Sequence, residues 1–446
     1  MTKFRVGRAS ARPGLALAAS LVLSLTAESS AFAQPFPARP PSPSPSPSPA
    51  VAPNLNLAEA LSLASAADPA VSGWEARLAA AEANIRQAGV KPNPSLGFET
   101  ENFAGSGPYS MLGGSQTTLS YQQVLERGGK REARVGLARA SAEVTRRRRD
   151  VRRLDLLRDV QVAYADALAA EADLLIAEAR LIAARSAQTD VDRRVRAARD
   201  PLFAGSRAES IAAQAEVERD QARVAAQNAR AVLARFWGGS PDFTLNLETF
   251  FSVTPPSAPG SVATADLALL ESEREVAAAN IRIERSRSVV DPTVRAGVRY
   301  FGDGRDVAFV VGGAIPLRLY DTNKAGVERA LSERNAAEAD LAAERIVRQR
   351  EIARLTARLA ASAMESERLR AEVIPSAIRA VEQVREGFNR GGFQYLNVAE
   401  AERALADARA RRVVVLRQFH TDQAALDRLT GRHMALASSN LNAERR

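Results

Sequence analysis

Cysteine is absent from this chain of 446 residues, and histidine occurs only twice, as His420 and His433. The absence of cysteine excludes disulfide scaffolds, thiolate metal centres, thiol nucleophiles and a lipid-bearing N-terminal cysteine. Aromatic residues are also scarce, at 5%, although 46% of the residues are hydrophobic. This alanine- and arginine-rich composition, with a formal net charge of +9, is typical of long helices rather than of compact cores.

Residues 1–33 have the three parts of a secretory signal peptide. Basic residues come first, an apolar run follows at residues 14–25, and Ala31-Phe32-Ala33 has the pattern of a cleavage site. We predict cleavage after Ala33, because the apolar run is shorter than the ~20 residues that a membrane anchor needs. Residues 34–53 then alternate proline with serine, which predicts an extended tether without a core of its own.

The rest of the chain consists of two repeats. The segment around Pro94 returns around Pro292, and the segment leading to Lys130 returns before Lys324. We predict the domains as a signal peptide (1–33), a Pro/Ser-rich tether (34–53), a first repeat (54–238), a connection (239–263), a second repeat (264–433) and a tail (434–446).

Each repeat contains two segments in which apolar residues alternate with polar or small ones. The four segments surround Phe98, Leu119, Val298 and Phe309. Strands of about ten residues with one apolar face are typical of a membrane β-barrel. Loops at residues 104–115 and 302–306 are expected to turn each pair of strands into a hairpin.

Each hairpin is followed by a long helical segment. Residues 130–199 contain no proline and one glycine, so that they predict a helix of ~105 Å. We expect it to reverse at residues 200–205, and its counterpart to reverse at 387–392 after a kink or break at Pro375. The predicted apolar stripe of the first long helix is Leu154, Leu157, Tyr164, Leu168, Leu175 and Ile182. The predicted seam of the second is Ile352, Leu355, Leu359, Ser362, Ser366, Leu369 and Val373.

Four membrane strands are too few for one chain to close a barrel, so that the chain must form an oligomer. Unpaired backbone groups cost several kcal/mol each in hydrocarbon, and about eight strands are the practical minimum for a closed barrel. Three copies would supply twelve strands and a tube of twelve helices, whereas two copies would make a barrel filled by side chains. We therefore expect a trimeric 12-strand β-barrel continued by a 12-helix periplasmic tube, each chain being mainly α with a membrane β part.

The same segments resemble a known family. The turn Gly128-Gly129-Lys130-Arg131, the start of the returning helix at residues 391–402, and the two repeats are similar to the TolC outer-membrane efflux proteins. The resemblance covers residues 54–433. Within it, residues 123–131 resemble the CzcC-like branch, which pairs with heavy-metal pumps of the resistance-nodulation-division class.

The resemblance implies a passive exit duct, not an enzyme, in the outer membrane and its lipid. Its partners would be two further copies, a periplasmic membrane-fusion adaptor and an inner-membrane resistance-nodulation-division pump, and its cargo heavy-metal cations. No cofactor is implied. The helix reversals would form the periplasmic tip, where the candidate gate residues are Arg199, Asp200, Glu209, Glu386, Arg390, Tyr395 and Glu400.

Several other sites are not supported by the sequence. Arg131 stands where a phosphate loop needs serine or threonine, and export argues against nucleic acid as the partner of the arginines at 146–149. One or two of those arginines are expected to line the tube, and the rest to be solvated or to pair with Asp150 and Asp155. His420 and His433 are 13 residues apart, so that we predict no metal site, and no catalytic constellation is present.

Two alternatives remain at this stage. The same fold with drugs or secreted polypeptides as cargo is one, and a structural periplasmic coiled coil or adhesin without a channel is the other. The recurrence of paired amphipathic strands at matching places in both repeats argues against the second.

Overall fold

The computed structural model describes residues 54–107, 114–254 and 264–436. The predicted signal peptide with its cleavage after Ala33, the tether at 34–53 and most of the predicted tail lie outside these residues. The described strands are β1 (Asn54–Leu55), β2 (Ser95–Glu101), β3 (Gln116–Val124), β4 (Thr244–Leu245), β5 (Thr293–Phe301) and β6 (Val307–Ala314). The described helices are α1 (Leu57–Ala66), α2 (Ala70–Ala88), α3 (Lys130–Arg196), α4 (Leu202–Ala234), α5 (Glu248–Phe251), α6 (Ala265–Arg287), α7 (Lys324–Arg368), α8 (Ile374–Asn389) and α9 (Tyr395–Thr430).

The four predicted amphipathic strands form one antiparallel sheet in the order β2-β3-β5-β6. Phe98 pairs with Leu119, Leu119 with Val298, and Val298 with Phe309, so that the central residues of all four strands share one row. Because directly opposed residues lie on the same face of a sheet, this register confirms the predicted alternation. The β3–β5 pairing joins the two repeats.

Long helices extend from this sheet. The predicted helix at 130–199 is α3, whose 67 residues span about 100 Å. It packs against α2 and α6 near the sheet and against α4 and α9 farther away. The structure and the periodicity of the sequence thus agree on a mainly helical protein with a small sheet at one end.

The second long helix is interrupted at the predicted place. A π-helical segment, Leu369–Val373, separates α7 from α8 and ends directly before Ile374-Pro375. Since proline lacks an amide hydrogen, the regular α-helical hydrogen bonding cannot continue through it. The π-helical segment is therefore the interruption that the sequence predicts at Pro375.

Both helix reversals differ from their predicted positions. The first turn precedes Leu202, so that residues 202–205 are already helical, and the second lies at residues 390–394, because α8 continues to Asn389. Proline at the last position before α4 explains the first shift, since it is compatible with a helix start although it terminates the preceding helix.

Some members of the predicted apolar stripes are wrong. Leu175 and Ile182 of α3 are exposed, whereas Leu181 and Ala184 are buried. An α-helix drifts by about 20° per heptad relative to a strict seven-residue repeat, which rotates the stripe away from its start. In the second long helix, Ile352, Leu355, Leu359 and Ser366 of the predicted seam are buried. Ser362 and Leu369 are half-buried, and Val373, the last residue of the π-helical segment, is exposed.

The main hydrophobic core lies midway along the helices. Residues of α1, α3 and α9 enclose it together with Trp237, Phe243 and Phe250, which are buried. Phe250 belongs to α5, and β4 pairs with β1 in parallel. The predicted inter-repeat connection therefore contains a strand and a short helix that close the core.

Candidate transport surfaces

One face of the sheet is apolar and exposed in the single chain. Its members include Leu96 and Phe98 on β2, and Phe309, which is 88% exposed, and Val311 on β6. Exposed apolar surface of this extent marks an interaction with a membrane or another chain. The alternation of this face with a polar one is the pattern of a lipid-facing barrel wall.

The opposite face carries polar side chains around Arg299 of β5. Its guanidinium donates to the hydroxyl of Thr118 (2.8 Å) and to the amide oxygen of Gln116 (3.2 Å), and it forms an ion pair with Glu101 (3.2 Å). The three acceptors belong to β2 and β3. An arginine on β5 therefore neutralises an acid on β2 across the width of β3.

A two-glycine turn joins β3 to α3, as the sequence predicts. Gly128 and Gly129 have φ values of 70° and 69°, and α3 begins at Lys130. Glycine adopts this left-handed region without the steric penalty that side chains incur. Arg131, the fourth residue of the predicted motif, is exposed and forms an ion pair with Glu132 at 3.6 Å.

Asp291 of the second repeat binds this turn. Its carboxylate accepts from Lys130 Nζ at 2.5 Å and from the Arg127 amide at 2.9 Å. Although burial acts in the opposite direction, these hydrogen bonds lower the pKa of Asp291. The contact fixes the second repeat to the point where the sheet of the first repeat meets its helix.

At the far end, the two helix reversals pack on each other. The buried residues there are Ala187, Val191, Ala204, Ala208, Phe388, Tyr395 and Val398. Arg194 forms two hydrogen bonds with Asp200 (2.9 and 3.1 Å), donates to the Phe388 carbonyl (2.6 Å) and lies over the Phe388 ring at 4.4 Å. Arg194 thus joins both reversals, and the sequence analysis missed it.

The candidate gate residues fall into different environments. Asp200 is held by Arg194, and Glu386 pairs with Arg390 across one helical turn. Tyr395 is buried against Phe388, and burial raises its pKa. The remaining candidates are exposed: Arg199, Glu209 and Glu400.

The run of arginines is largely paired. Arg146 and Arg147 both contact Glu143, and Arg149 contacts Asp150. Arg148 pairs with Glu273 of α6 at 2.9 Å. Asp150 is thus one of the two expected partners, whereas the other three arginines pair with glutamates, and Asp155 contacts Arg158 and Arg428 instead.

Two features are absent from the residues that the structure describes. No helix among them combines the length and apolarity needed to cross a membrane. Within the same ranges, no three or more His, Cys, Asp or Glu side chains are grouped so that they could hold a metal ion.

Comparisons with known proteins agree with this architecture. Residues 60–239 and 263–432 match the family described as outer membrane efflux protein. The cobalt-zinc-cadmium resistance protein CzcC of Cupriavidus metallidurans is 31% identical over 386 residues, which cover 85% of this chain and 90% of CzcC. The nickel-cobalt-cadmium resistance protein NccC of Alcaligenes xylosoxydans xylosoxydans is 27% identical over 278 residues, which cover 61% of this chain and 63% of NccC.

Solved structures share the fold at low identity. The outer membrane protein VceC from Vibrio cholerae has a TM-score of 0.67 at 21% identity, covering 84% of this chain and 96% of VceC. The CmeC outer membrane channel of Campylobacter jejuni has a TM-score of 0.69 at 12% identity, covering 87% and 90%. Since the family match extends over both repeats, the chain belongs to the outer membrane efflux protein family.

Proposed function

We propose that three copies of this chain close a twelve-stranded barrel in the outer membrane, which a twelve-helix tube continues through the periplasm. The observation that carries this proposal is the open sheet. Its outer face is apolar, and β2 and β6 each have one edge without a partner strand in the part of the chain that the structure describes. Such edges are tolerated in a membrane only when another strand pairs with them.

The helices support closure at the same edges. Next to the sheet, α3 contacts α2 and α6, and α6 contacts α7, so that the helices follow the lateral order of the strands they adjoin. A further copy added beside β6 would therefore extend the sheet and the helical layer together. Four antiparallel strands per chain also let β6 meet β2 of the next copy in an antiparallel sense.

The end of β6 is consistent with a missing partner. In the first repeat, β3 pairs with β5 up to Val124, six residues before Lys130. In the second, pairing of β6 stops at Ala314, ten residues before Lys324. The residues that follow, Ile315, Leu317 and Leu319, alternate and are exposed. In the closed ring they would lie on the lipid side, beside β2 of the neighbour.

The helix reversals would be the end that meets a periplasmic adaptor and, through it, a resistance-nodulation-division pump. Leu202 and Phe203 project from the start of α4 and are 82% and 71% exposed. Large apolar side chains exposed at a tip favour a protein partner there. The pump would supply the energy, and the candidate gate residues at the tip would control a passive duct.

Heavy-metal cations are the proposed cargo. The support is the similarity to CzcC, named for resistance to cobalt, zinc and cadmium, over most of both chains. Selection among metals would then rest with the pump and adaptor. Drugs or secreted polypeptides are the alternative cargo for the same duct.

Deletion of the gene tests the cargo directly. We expect the deletion strain to become sensitive to a group of metals among zinc, cadmium, cobalt, nickel, copper and silver, and the wild-type gene to restore growth. Hydrophobic drugs and dyes serve as the matched challenge. Sensitivity to drugs alone would contradict the metal assignment and leave the duct intact.

A further inference from the structure

Two arginines of β5 lie on the polar face of the sheet and extend in opposite directions. Arg299 extends over β3 and forms its ion pair with Glu101 of β2 at 3.2 Å. Arg295 extends over β6 instead, where its Nε and Nη2 lie 3.9 Å from the position that a Cβ would take at Gly312. Because Arg295 and Gly312 are directly opposed, they share one face. The guanidinium of Arg295 therefore lies on the side of the free edge of the sheet.

Arg295 has no acid that neutralises it in the part of its own chain that the structure describes. Its side chain is exposed, and none of the described carboxylates forms an ion pair with it. The strand that it covers cannot supply an acid, because the residues of β6 on this face are all uncharged: Ala308, Val310, Gly312 and Ala314. The glycine leaves space for the guanidinium above β6.

Glu99 is the matching acid at the opposite edge of the sheet. It belongs to the same polar face, because it opposes Thr118, which in turn opposes Arg299. Its side chain is exposed, and no described lysine or arginine forms an ion pair with it, whereas Glu101 is bound by Arg299. One edge thus has an unneutralised base and the other an unneutralised acid. Such complementary charges favour pairing of the two edges.

The repeats give the register in which these edges would meet. Lys130 corresponds to Lys324, and Pro94 corresponds to Pro292. Transferred through these correspondences, the β3–β5 register places the two glutamates at the end of β2 of the next copy beside Gly312 and the residue two positions after it.

Glu99 of the next copy then lies close to the row of Arg295. It opposes Ala314, which is one same-face position from Gly312, and a register shifted by two residues would place it beside Gly312 itself. Arg299 bridges the same displacement within the chain, because its own row contains Glu99 and its ion pair is with Glu101, one same-face position away. An arginine on β5 can therefore reach either position across one strand.

We propose that Arg295 forms an ion pair with Glu99 of the next copy across Gly312, and that this pair stabilises the contact between copies. The inference rests on the proposed trimer. The polar face would form the inner wall of the barrel, because the other face is apolar. With Arg295–Glu99 pairs between copies and Arg299–Glu101 pairs within them, the two arginines and two glutamates of each copy balance one another. Opposite charges at the two edges also disfavour pairing of like edges.

The test is dissociation of the trimer formed by the full-length mature protein in detergent, followed by size-exclusion chromatography after dilution. Arg295→Glu should accelerate dissociation about tenfold or more, because like charges would then face each other between copies. Glu99→Arg should have the same effect, and Arg295→Glu/Glu99→Arg should restore a rate close to that of the wild type. Arg295→Glu/Glu101→Arg is the matched control and should remain fast, since position 101 has to neutralise Arg299.

The outcomes separate this inference from the proposed function. A wild-type protein that forms no trimer would contradict both. A wild-type trimer with unchanged dissociation in Arg295→Glu, or restoration by Glu101→Arg instead of Glu99→Arg, would overturn the pairing of Arg295 with Glu99 and leave the duct intact.

A milder variant keeps the test decisive where Arg295→Glu does not assemble. Arg295→Gln removes the charge without reversing it and should accelerate dissociation more than Arg299→Gln, whose ion pair lies within one chain. Equal rates in these two variants would also overturn the inference.

Discussion

Gly128 is the residue on which the junction between sheet and helix depends most closely. Its φ of 70° is left-handed, and a Cβ there would lie 2.5 Å from Cβ of Val289 in the second repeat. Gly129 has almost the same φ, but the nearest atom to its Cβ position is 3.9 Å away. Substitutions at the two neighbouring glycines therefore distinguish the effect of backbone strain from the effect of a steric contact.

We predict that Gly128→Ala destabilises the protein more than Gly129→Ala. The left-handed conformation costs ~1–2 kcal/mol for alanine in either case, and the contact with Val289 adds about 1–3 kcal/mol of overpacking at position 128. Thermal unfolding followed by circular dichroism measures the difference. The double variant Gly128→Ala/Val289→Ala should return to the level of Gly129→Ala. Equal unfolding midpoints for all three variants would show that the contact with Val289 does not contribute to the loss of stability.

Residue roles were predictable where local geometry determines them. Two successive glycines between an alternating strand and a helical pattern predict a turn, and the turn is there. Asp291 was visible only as part of a repeated segment, because its contact with Lys130 joins residues 161 apart in the chain. Tyr395 was predicted at the tip, but its burial follows from packing of α8 and α9 against α3 and α4, which no local pattern contains.

At the scale of elements, Arg194 connects the two helical reversals. It neutralises Asp200 within the first reversal and donates to the backbone of Phe388 in the second. Hydrogen bonds from charged groups contribute about 1.5–3 kcal/mol each. This side chain therefore links the two halves of the tip by polar contacts.

We predict that Arg194→Ala loosens the tip without unfolding the helices. Amide exchange at residues 197–205 and 384–400 should accelerate about tenfold or more, because the local opening free energy falls by the value of the lost contacts. Arg193→Ala is the matched control, since Arg193 is 74% exposed and contacts Asp190 within its own helix. Equal exchange in both variants would contradict the assignment.

Elements were predictable to different degrees. The helix Lys130–Arg196 agrees with the helix predicted for residues 130–199, and the four strands agree with the alternation of apolar residues. The stripe on α3 drifted because the seven-residue pattern and the 3.6-residue turn are not commensurate. The turns shifted by several residues because alanine, leucine and phenylalanine beside Pro201 are compatible with either loop or helix.

At the scale of the whole molecule, the proposed barrel closes only with neighbouring copies of the chain. Strand number, exposed apolar face and unpaired edges are all properties that the sequence pattern already indicates. The pairing between copies follows instead from the repeats: the β3–β5 contact within one chain should recur as a β6–β2 contact between chains. Applying the correspondences of Lys130 with Lys324 and of Pro94 with Pro292 to the β3–β5 register places Ile315 beside Phe98 of the next copy.

Disulfide cross-linking in the intact outer membrane tests this claim most directly, because the chain has no cysteine of its own. The variant Phe98→Cys/Ile315→Cys should yield covalent dimers and trimers on a denaturing gel after oxidation. The variant Phe98→Cys/Gly313→Cys tests the same contact with the register between the two strands shifted by two residues. Leu119→Cys/Val298→Cys, whose positions pair within one chain, is the control and should remain a protomer with altered mobility. A ladder that ends at three copies is the predicted result. Cross-linking in the control alone, or a ladder that ends at two copies, would contradict the trimeric duct.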